Sequence, residues 1–442
     1  MARLEFVSTL LATLFAAVFL SSVAAADAVR VSDEGRRAIS PEIAVGPDGA
    51  INIIWLDKGL TANRPPPKPR KPGEHSHRSA TDLYFSRSED GGSTWSDPQR
   101  INEIDGEVWG FSVSKPRIGV GPSGTLHVFY PANDFADGIA KDVVSARYRR
   151  STDNGKSFSA AVTMNRPVTE DREDILGEGL AMTNSFGTMG VAPDGTVITA
   201  WQNVATMQDD TEGANGVIAV STDDGRTFSE EIIAIPGNKV CPCCQLTVEF
   251  GADSALMGLR YLYDDGRDSA IARSDDGGKS FALSGRLDLA PWAINGCPLK
   301  PTELAIVGDT VYAATYTGGE DPAGLYFTRS TDGGASFSGK QQVHPEADLA
   351  DAPALTVDAS GNVRLVWHTK MEGERRLYTA VSTDNGATLS VPSEVATPAG
   401  KSMHPATAVA RNGDVFVTWQ QENEEVFVIR LPAPDGKLAR NQ

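Results

Sequence analysis

"STDNGKSF", residues 151–158, is one of six near-copies spread along this chain. The pattern S-x-D-x-G-x-[ST]-aromatic returns as "SEDGGSTW" at Ser88, "STDDGRTF" at Ser221, "SDDGGKSF" at Ser274 and "STDGGASF" at Ser330. The sixth copy, "STDNGATL" at Ser382, ends in Leu389. The chemistry is that of a tight turn: Asp and Ser side chains bond nearby backbone N–H groups, and Gly takes a positive φ. The closing aromatic then plugs the turn into an apolar layer. Asp90, Asp153, Asp223, Asp276, Asp332 and Asp384 are therefore read as structural residues of the turn.

A second pattern precedes each copy: an alternating strand, a Gly turn, and a second strand ending in an aromatic. It reads "SPEIAVGPDGAINIIW" from Ser40, "KPRIGVGPSGTLHVFY" from Lys115 and "SFGTMGVAPDGTVITAW" from Ser185. It recurs as "DAPALTVDASGNVRLVW" from Asp351 and "HPATAVARNGDVFVTW" from His404. "CQLTVEFGADSALMGLRYLY" from Cys244 and "PTELAIVGDTVYAATY" from Pro301 are looser versions, which makes seven hairpins. The aromatics Trp55, Tyr130, Trp201, Trp367 and Trp419 each fall six residues after the turn Gly and are read as packing between sheets.

One unit is then four antiparallel strands, the organisation of a β-propeller blade. The expected fold is all-β, with seven blades favoured and six as the alternative if one loose hairpin is an insertion. The seventh hairpin is followed only by "EEVFVIRL", so its fourth strand is missing. "AVRVSDEG" near the N-terminus has the register to supply it and to close the ring, which removes exposed sheet edges.

Arg3 followed by "VSTLLATLFAAVFL" and the small residues "SSVAAADA" reads as a secretory signal over residues 1–26, leaving residues 27–442 as a single exported domain. The expected location is the periplasm or the extracellular medium, with no membrane anchor and a monomeric state. A formal charge of −18 argues against nucleic acid as a partner.

The chain has four cysteines: Cys241, Cys243 and Cys244 crowd into "CPCC", and Cys297 lies in "INGCPLKP". Aligning the hairpins on Pro41 puts Cys244 at the start of an innermost strand, with Cys243 just before it. His404 takes the preceding position in the seventh hairpin, and Met403 and Asp351 fall one residue earlier in the seventh and sixth. These seven residues form the candidate ligand or metal site, with the cysteines on two neighbouring entry loops at the mouth of the channel. Three readings stand side by side: two disulfides, a thiolate site for copper or zinc, and a C-x-x-C dithiol centre. The Pro-rich stretch 62–79, with His75 and His77, reads as a solvated loop, and residues 165–185 as a short acidic helix or surface insertion.

The eight-residue turn resembles the Asp box, or BNR repeat, of the sialidase superfamily, and the resemblance spans nearly all of residues 27–442. It implies the propeller fold, and it is not specific for activity. Sialidases carry an R-I-P motif on the first inner strand, further arginines for the substrate carboxylate, an Asp acid/base and a Tyr–Glu nucleophile pair. In "RRAISPEI", Pro41 aligns with the motif's Pro, while Ile39 and Ser40 stand at its Arg and Ile positions. Arg36 and Arg37 are out of register. Arg117 and Arg260 are candidate channel arginines and Tyr316 a candidate channel tyrosine. Without a cation at the motif position, binding of a sialic acid carboxylate is unexplained. "CPCC" with "WAINGCP" (292–298) also resembles an exported bacterial sialidase-like subgroup. The function expected is therefore binding of a small molecule, glycan or soft metal at the cysteine-rich mouth. The alternative is an exo-sialidase or another glycoside hydrolase acting on extracellular glycans.

Overall fold

The computed structural model describes residues 27–60, 80–111, 113–133, 143–167, 183–209, 211–294, 296 and 298–434. Among them are 28 strands and no helix. The proposed signal, the Pro-rich loop with His75 and His77, and most of the acidic insertion (168–182) lie outside the described residues.

β1 is Val29–Arg30. The first four-stranded sheet runs β2 (Arg36–Val45), β3 (Ile51–Leu60), β4 (Asp82–Ser88) and β5 (Gln99–Arg100), and the second β6 (Arg117–Val120), β7 (Leu126–Asn133), β8 (Val144–Ser151) and β9 (Val162–Thr163). An eight-stranded sheet holds two such units: β10 (Asn184–Val191), β11 (Val197–Asn203), β12 (Ala214–Ser221) and β13 (Ile232–Val240), then β14 (Thr247–Phe250), β15 (Ala255–Tyr263), β16 (Gly266–Ser274) and β17 (Ala282–Arg286). The single pairing Val240↔Tyr261 joins them. Two more sheets follow: β18 (Thr302–Val307), β19 (Thr310–Thr317), β20 (Gly324–Ser330) and β21 (Ser338–Gln342), then β22 (Leu349–Val357), β23 (Val363–Met371), β24 (Glu374–Ser382) and β25 (Ser393–Glu394). The last contains β26 (Ser402–Val409), β27 (Val415–Gln421) and β28 (Glu425–Leu431), with β1 antiparallel to β28 through Val29↔Val428. Within each unit consecutive strands pair, as the hairpin reading expects. The first strands touch in order: β2 on β6, β6 on β10, β10 on β14, β14 on β18, β18 on β22, β22 on β26, and β26 on β2.

Strands buried on both faces explain this stacking. Along β3, Ile51, Ile53 and Trp55 pack with Phe416, Val426 and Val428 of the last sheet. Their neighbours Ile54 and Leu56 pack with Leu126, Val128 and Tyr130 of the second. A period of two with apolar residues on both faces gives a sheet that cannot stay unstacked. Trp55, Tyr130, Trp201, Trp367 and Trp419 are at most 1% exposed, as the inter-sheet reading requires. Each such ring removes roughly 150–250 Å² from water, several kcal/mol before entropy is counted.

The six Asp boxes share one set of hydrogen bonds. In the second copy the Ser151 hydroxyl donates to Asp153 Oδ1 (2.7 Å) and accepts from Gly155 N–H (2.9 Å). Ser157 donates its N–H to Oδ1 (3.0 Å) and its hydroxyl to Oδ2 (2.6 Å). The other five repeat the Ser and Asp contacts. Hydrogen bonds from the hydroxyl and N–H four residues on hold Asp90, Asp153 and Asp223 down to about 2. Gly155 has φ 81°, and a Cβ there would sit 2.2 Å from the Phe85 ring, so the turn presses on the preceding sheet.

Gly155→Ala combines a left-handed backbone with an overlap. It is expected to cost about 2–4 kcal/mol in denaturant unfolding; an unchanged midpoint would contradict this packing. The box carboxyls are depressed on folding, so their contribution is complete above their ordinary pKa near 4 and is lost as pH falls towards about 2. The unfolding midpoint is expected to drop between about pH 4.5 and 2.5, and a level midpoint over that interval would remove the turn hydrogen bonds from the account.

Candidate functional site

"CPCC" forms the tight connection from β13 to β14. Cys241 N–H donates to Arg260 O (2.8 Å), Cys244 N–H to Cys241 O (3.4 Å), and Leu246 N–H to Phe186 O (3.1 Å). The Gln202 side-chain amide donates to Cys244 O. The three cysteines are 0–3% exposed and pack with Trp109, Val144 and Phe186, with Phe111, Val113, Leu262 and Leu299 around them. Trp109, Phe111 and Phe186 meet edge to face, with centroids 5.6–5.8 Å apart. The cluster is thus not an open mouth; it lies inside an aromatic shell.

The sulfurs of Cys241 and Cys243 are 3.7 Å apart and those of Cys241 and Cys244 3.2 Å. Cys243 is disulfide-bonded, whereas Cys241 and Cys244 are free thiols. This corrects the expectation of two disulfides: 3.2 Å is well beyond the roughly 2.05 Å of an S–S bond. Cys297 lies outside the described residues. Burial alone pushes the Cys244 thiol up. The hydrogen bond from Cys241, the Arg260 charge and the N–H groups of Lys300 and Leu299 outweigh it and bring Cys244 down to about 7. Cys241 is pushed well up, by its hydrogen bond with Cys244 and by burial.

The register also corrects the hairpin alignment. The pair next to the turn is Val45↔Ile51 in the first unit and Phe250↔Ala255 in the fourth. Counting back, Leu246 is level with Pro41, and Cys244 with Ile39. The same count from Val357↔Val363 and Val409↔Val415 puts Asp351 and Met403 level with Cys244 and His404 one residue on. The residue before the aligned position is left-handed in four units: Ser40, Phe186, Ala352 and His404 have φ of 48–53°. Each sits in a bulge of the first strand, and the bulge re-aims the side chains beside it.

A small cavity of about 30 Å³ lies between these strands, lined by Lys115, Arg117, Gln245, Glu303, Asp351 and His404, with Val113, Leu299 and Pro301, Pro353 and Pro405 between them. Asp351 and His404 are therefore brought together, while Met403 pairs with Gln420 and is not among the lining residues. Leu299 and Val113 belong to both the cavity wall and the cysteine shell. Lys115 Nζ donates to Pro405 O (2.7 Å) and His404 O (3.3 Å), and burial lowers its pKa. Arg117 is held by Glu42 at 3.3 Å, and Asp351 by Lys300. Water reaches Glu249, yet protein surrounds it, and this loss of solvation with the nearby Glu303 charge pushes its carboxyl up to about 8. The His404 ring stands perpendicular to His368 at 5.0 Å, and its Nδ1 is buried without a partner. Burial holds His404 well below the ordinary imidazole range and takes His368 down to about 3.

The other arginines proposed from sequence do not face the cavity. Arg36 binds Asp57 (2.7 Å) and Arg37 binds Glu424. Arg260, 1% exposed, donates to Arg267 O (2.8 Å) and Tyr316 O (2.8 Å). Tyr316 packs on Trp292 and Lys300 and does not line the cavity. Sequence reasoning missed Lys115, Gln245 and Glu303. A signal existed for Lys115, which precedes its hairpin proline as His404 does.

A thiol count under denaturing conditions, after equilibration with excess reduced glutathione and its removal, is expected to give two thiols per chain; none or four would overturn the assignment of Cys241 and Cys244 as free and Cys243 as bonded. The His368 and His404 imidazole resonances are expected to stay those of neutral rings from pH 8 down to 5, since burial opposes their protonation.

Residues 73–291 match the family described as BNR repeat-like domain. No curated protein matches the chain. Among solved structures, a Dyadobacter fermentans protein of unknown function is 15% identical, covers 93% of this chain and 99% of its own, and has a TM-score of 0.53. An ulvan lyase of a new polysaccharide lyase family is 13% identical over 91% of this chain and 94% of its own, with a TM-score of 0.53. A Hadza microbial sialidase is 16% identical over 86% and 76%, with a TM-score of 0.48. The six turns of one geometry and this family match agree: the chain is a member of the sialidase-like superfamily of BNR-repeat proteins.

Proposed function

We propose that the chain is an exported, monomeric, seven-bladed β-propeller that binds a sugar-like ligand in its central cavity. Support for seven blades comes from seven four-stranded units whose first strands touch in an unbroken cycle. Support for closure by the N-terminal strand comes from β1 lying beside β28. Support for export comes from the N-terminal basic residue, apolar run and small residues.

The observation that carries ligand binding is the convergence of polar groups from five units on one cavity. At about 30 Å³ it holds roughly two waters as it stands, so a sugar-like ligand enters by moving the surrounding side chains apart. Asp351 offers an acceptor for hydroxyls, and the unpartnered His404 Nδ1 calls for one more hydrogen bond. Pro301, Pro353 and Pro405 supply apolar faces of the kind a sugar ring covers. The superfamily's glycan-active members make a glycan the first ligand class to try. A glycoside hydrolase is the second reading, favoured by Glu303, whose carboxyl is raised by burial towards the protonated form an acid catalyst needs. A sialic acid specificity has less support: Arg117 is the arginine lining the cavity among the described residues, and Glu42 already holds it.

Thermal-shift and calorimetric titration with neutral, uronic-acid and sialic-acid oligosaccharides tests this. At least one class is expected to bind. His404→Asn, which tolerates the left-handed backbone, is expected to weaken it about tenfold, the loss of one hydrogen bond. Binding untouched by both His404→Asn and Asp351→Asn would place the ligand elsewhere. Release of reducing sugar that Glu303→Gln abolishes would decide for the hydrolase.

A further inference from the structure

We propose that Cys241 and Cys244 are a redox-active dithiol that closes to a disulfide by exchange with a small external disulfide, reached through the wall of the central cavity. The two sulfurs sit 3.2 Å apart at the first and fourth positions of one tight turn. A turn brings those Cα atoms within about 7 Å, the range a disulfide spans. Closing the bond asks each sulfur to move by about half an ångström, with no strand displaced.

The same distance argues against a thiolate metal site. Zinc–sulfur bonds near 2.3 Å set tetrahedral S···S edges at about 3.8 Å. The 3.7 Å edge to Cys243 matches, but that sulfur is already in a disulfide. Two thiols closer than the edge remain.

The surroundings separate the two thiols into roles. Cys244 lies near the Arg260 guanidinium and the N–H groups of Leu299 and Lys300, all of which favour its thiolate, so it is assigned as the more acidic of the pair. It is the attacking sulfur and Cys241 the resolving one. Cys244 thiolate attacks one sulfur of R–S–S–R and expels RS⁻. Cys241 then loses its proton to solvent and attacks Cys244 Sγ in the mixed disulfide, expelling the second RS⁻. The two thiols give up two electrons and two protons, and the external disulfide becomes two thiols.

Access is through Leu299. This side chain lines the cavity on one side and packs on the cysteines on the other. Its φ is 57°, a left-handed backbone unusual for leucine, in a connection outside the strands. Displacing it opens the cavity onto Cys244.

The test uses oxidised and reduced glutathione as the probe. The full chain is equilibrated at a series of ratios, alkylated, then denatured, reduced and labelled with a second alkylating reagent, and the tryptic peptide from Val240 to Arg260 is weighed. The expected result is one reversible transition from two cysteines carrying the first label to none, with Cys243 carrying only the second label throughout. Cys241→Ser is expected to accumulate the mixed disulfide with glutathione, and Cys244→Ser to stay unmodified. Leu299→Ala is expected to speed the wild-type reaction several-fold. Two thiols alkylated at every ratio would overturn the proposal. So would equal reactivity of the two Ser variants, or a bound soft metal that protects both thiols in the purified protein.

Discussion

Burial of both faces of the strands is the constraint on which this structure depends. A sheet whose β3 sends Ile51, Ile53 and Trp55 to one neighbour and Ile54 and Leu56 to the other has no side to offer water. It must be stacked twice, and the first strand of each unit touches the first strand of the next. The Asp boxes work at the other end of each unit. They cost little apolar surface, since their Asp residues are exposed, but they fix where each turn glycine presses on the sheet before it.

That arrangement concentrates charge where solvent is scarce. Glu42, Glu249, Glu303, Arg117 and Lys115 come from different first strands or the residues leading into them, and none has another place to go once the strands meet. Desolvation raises the carboxyls of Glu249 and Glu303 and lowers the Lys115 amine, the directions expected when bulk water is replaced by protein. Displaced titrations of this kind gather at binding sites, and Glu303 and Lys115 line the cavity that the bulges at Ala352 and His404 help to shape.

The cysteine cluster sits one layer behind that cavity and shares Leu299 and Val113 with it. Its chemistry depends on asymmetry. Two thiols of the same type, three residues apart, differ in surroundings, since the Arg260 charge and the N–H groups of Leu299 and Lys300 act on Cys244. Arg260, with backbone carbonyls as its hydrogen-bond partners, leaves its charge available to the nearby sulfur.

The repeats made the architecture legible before any coordinates: a turn copied six times and a hairpin copied seven times can be read residue by residue, because tight-turn chemistry is local and strand alternation has a period of two. The same locality showed the Asp box carboxylates as structural and the hairpin aromatics as core. The site was only half visible. Asp351 and His404 were found because they flank hairpin prolines, while Met403, from the same segment, is not among the residues lining the cavity. Glu303 and Gln245 carried no local mark, and the two-residue slip at Cys244 showed only in the pairing register. Which cysteine is bonded, which thiol is the more acidic, and that Arg260 turns away from the cavity were decided by tertiary structure alone. Each depends on distances between segments far apart in the chain, and sequence spacing does not encode them.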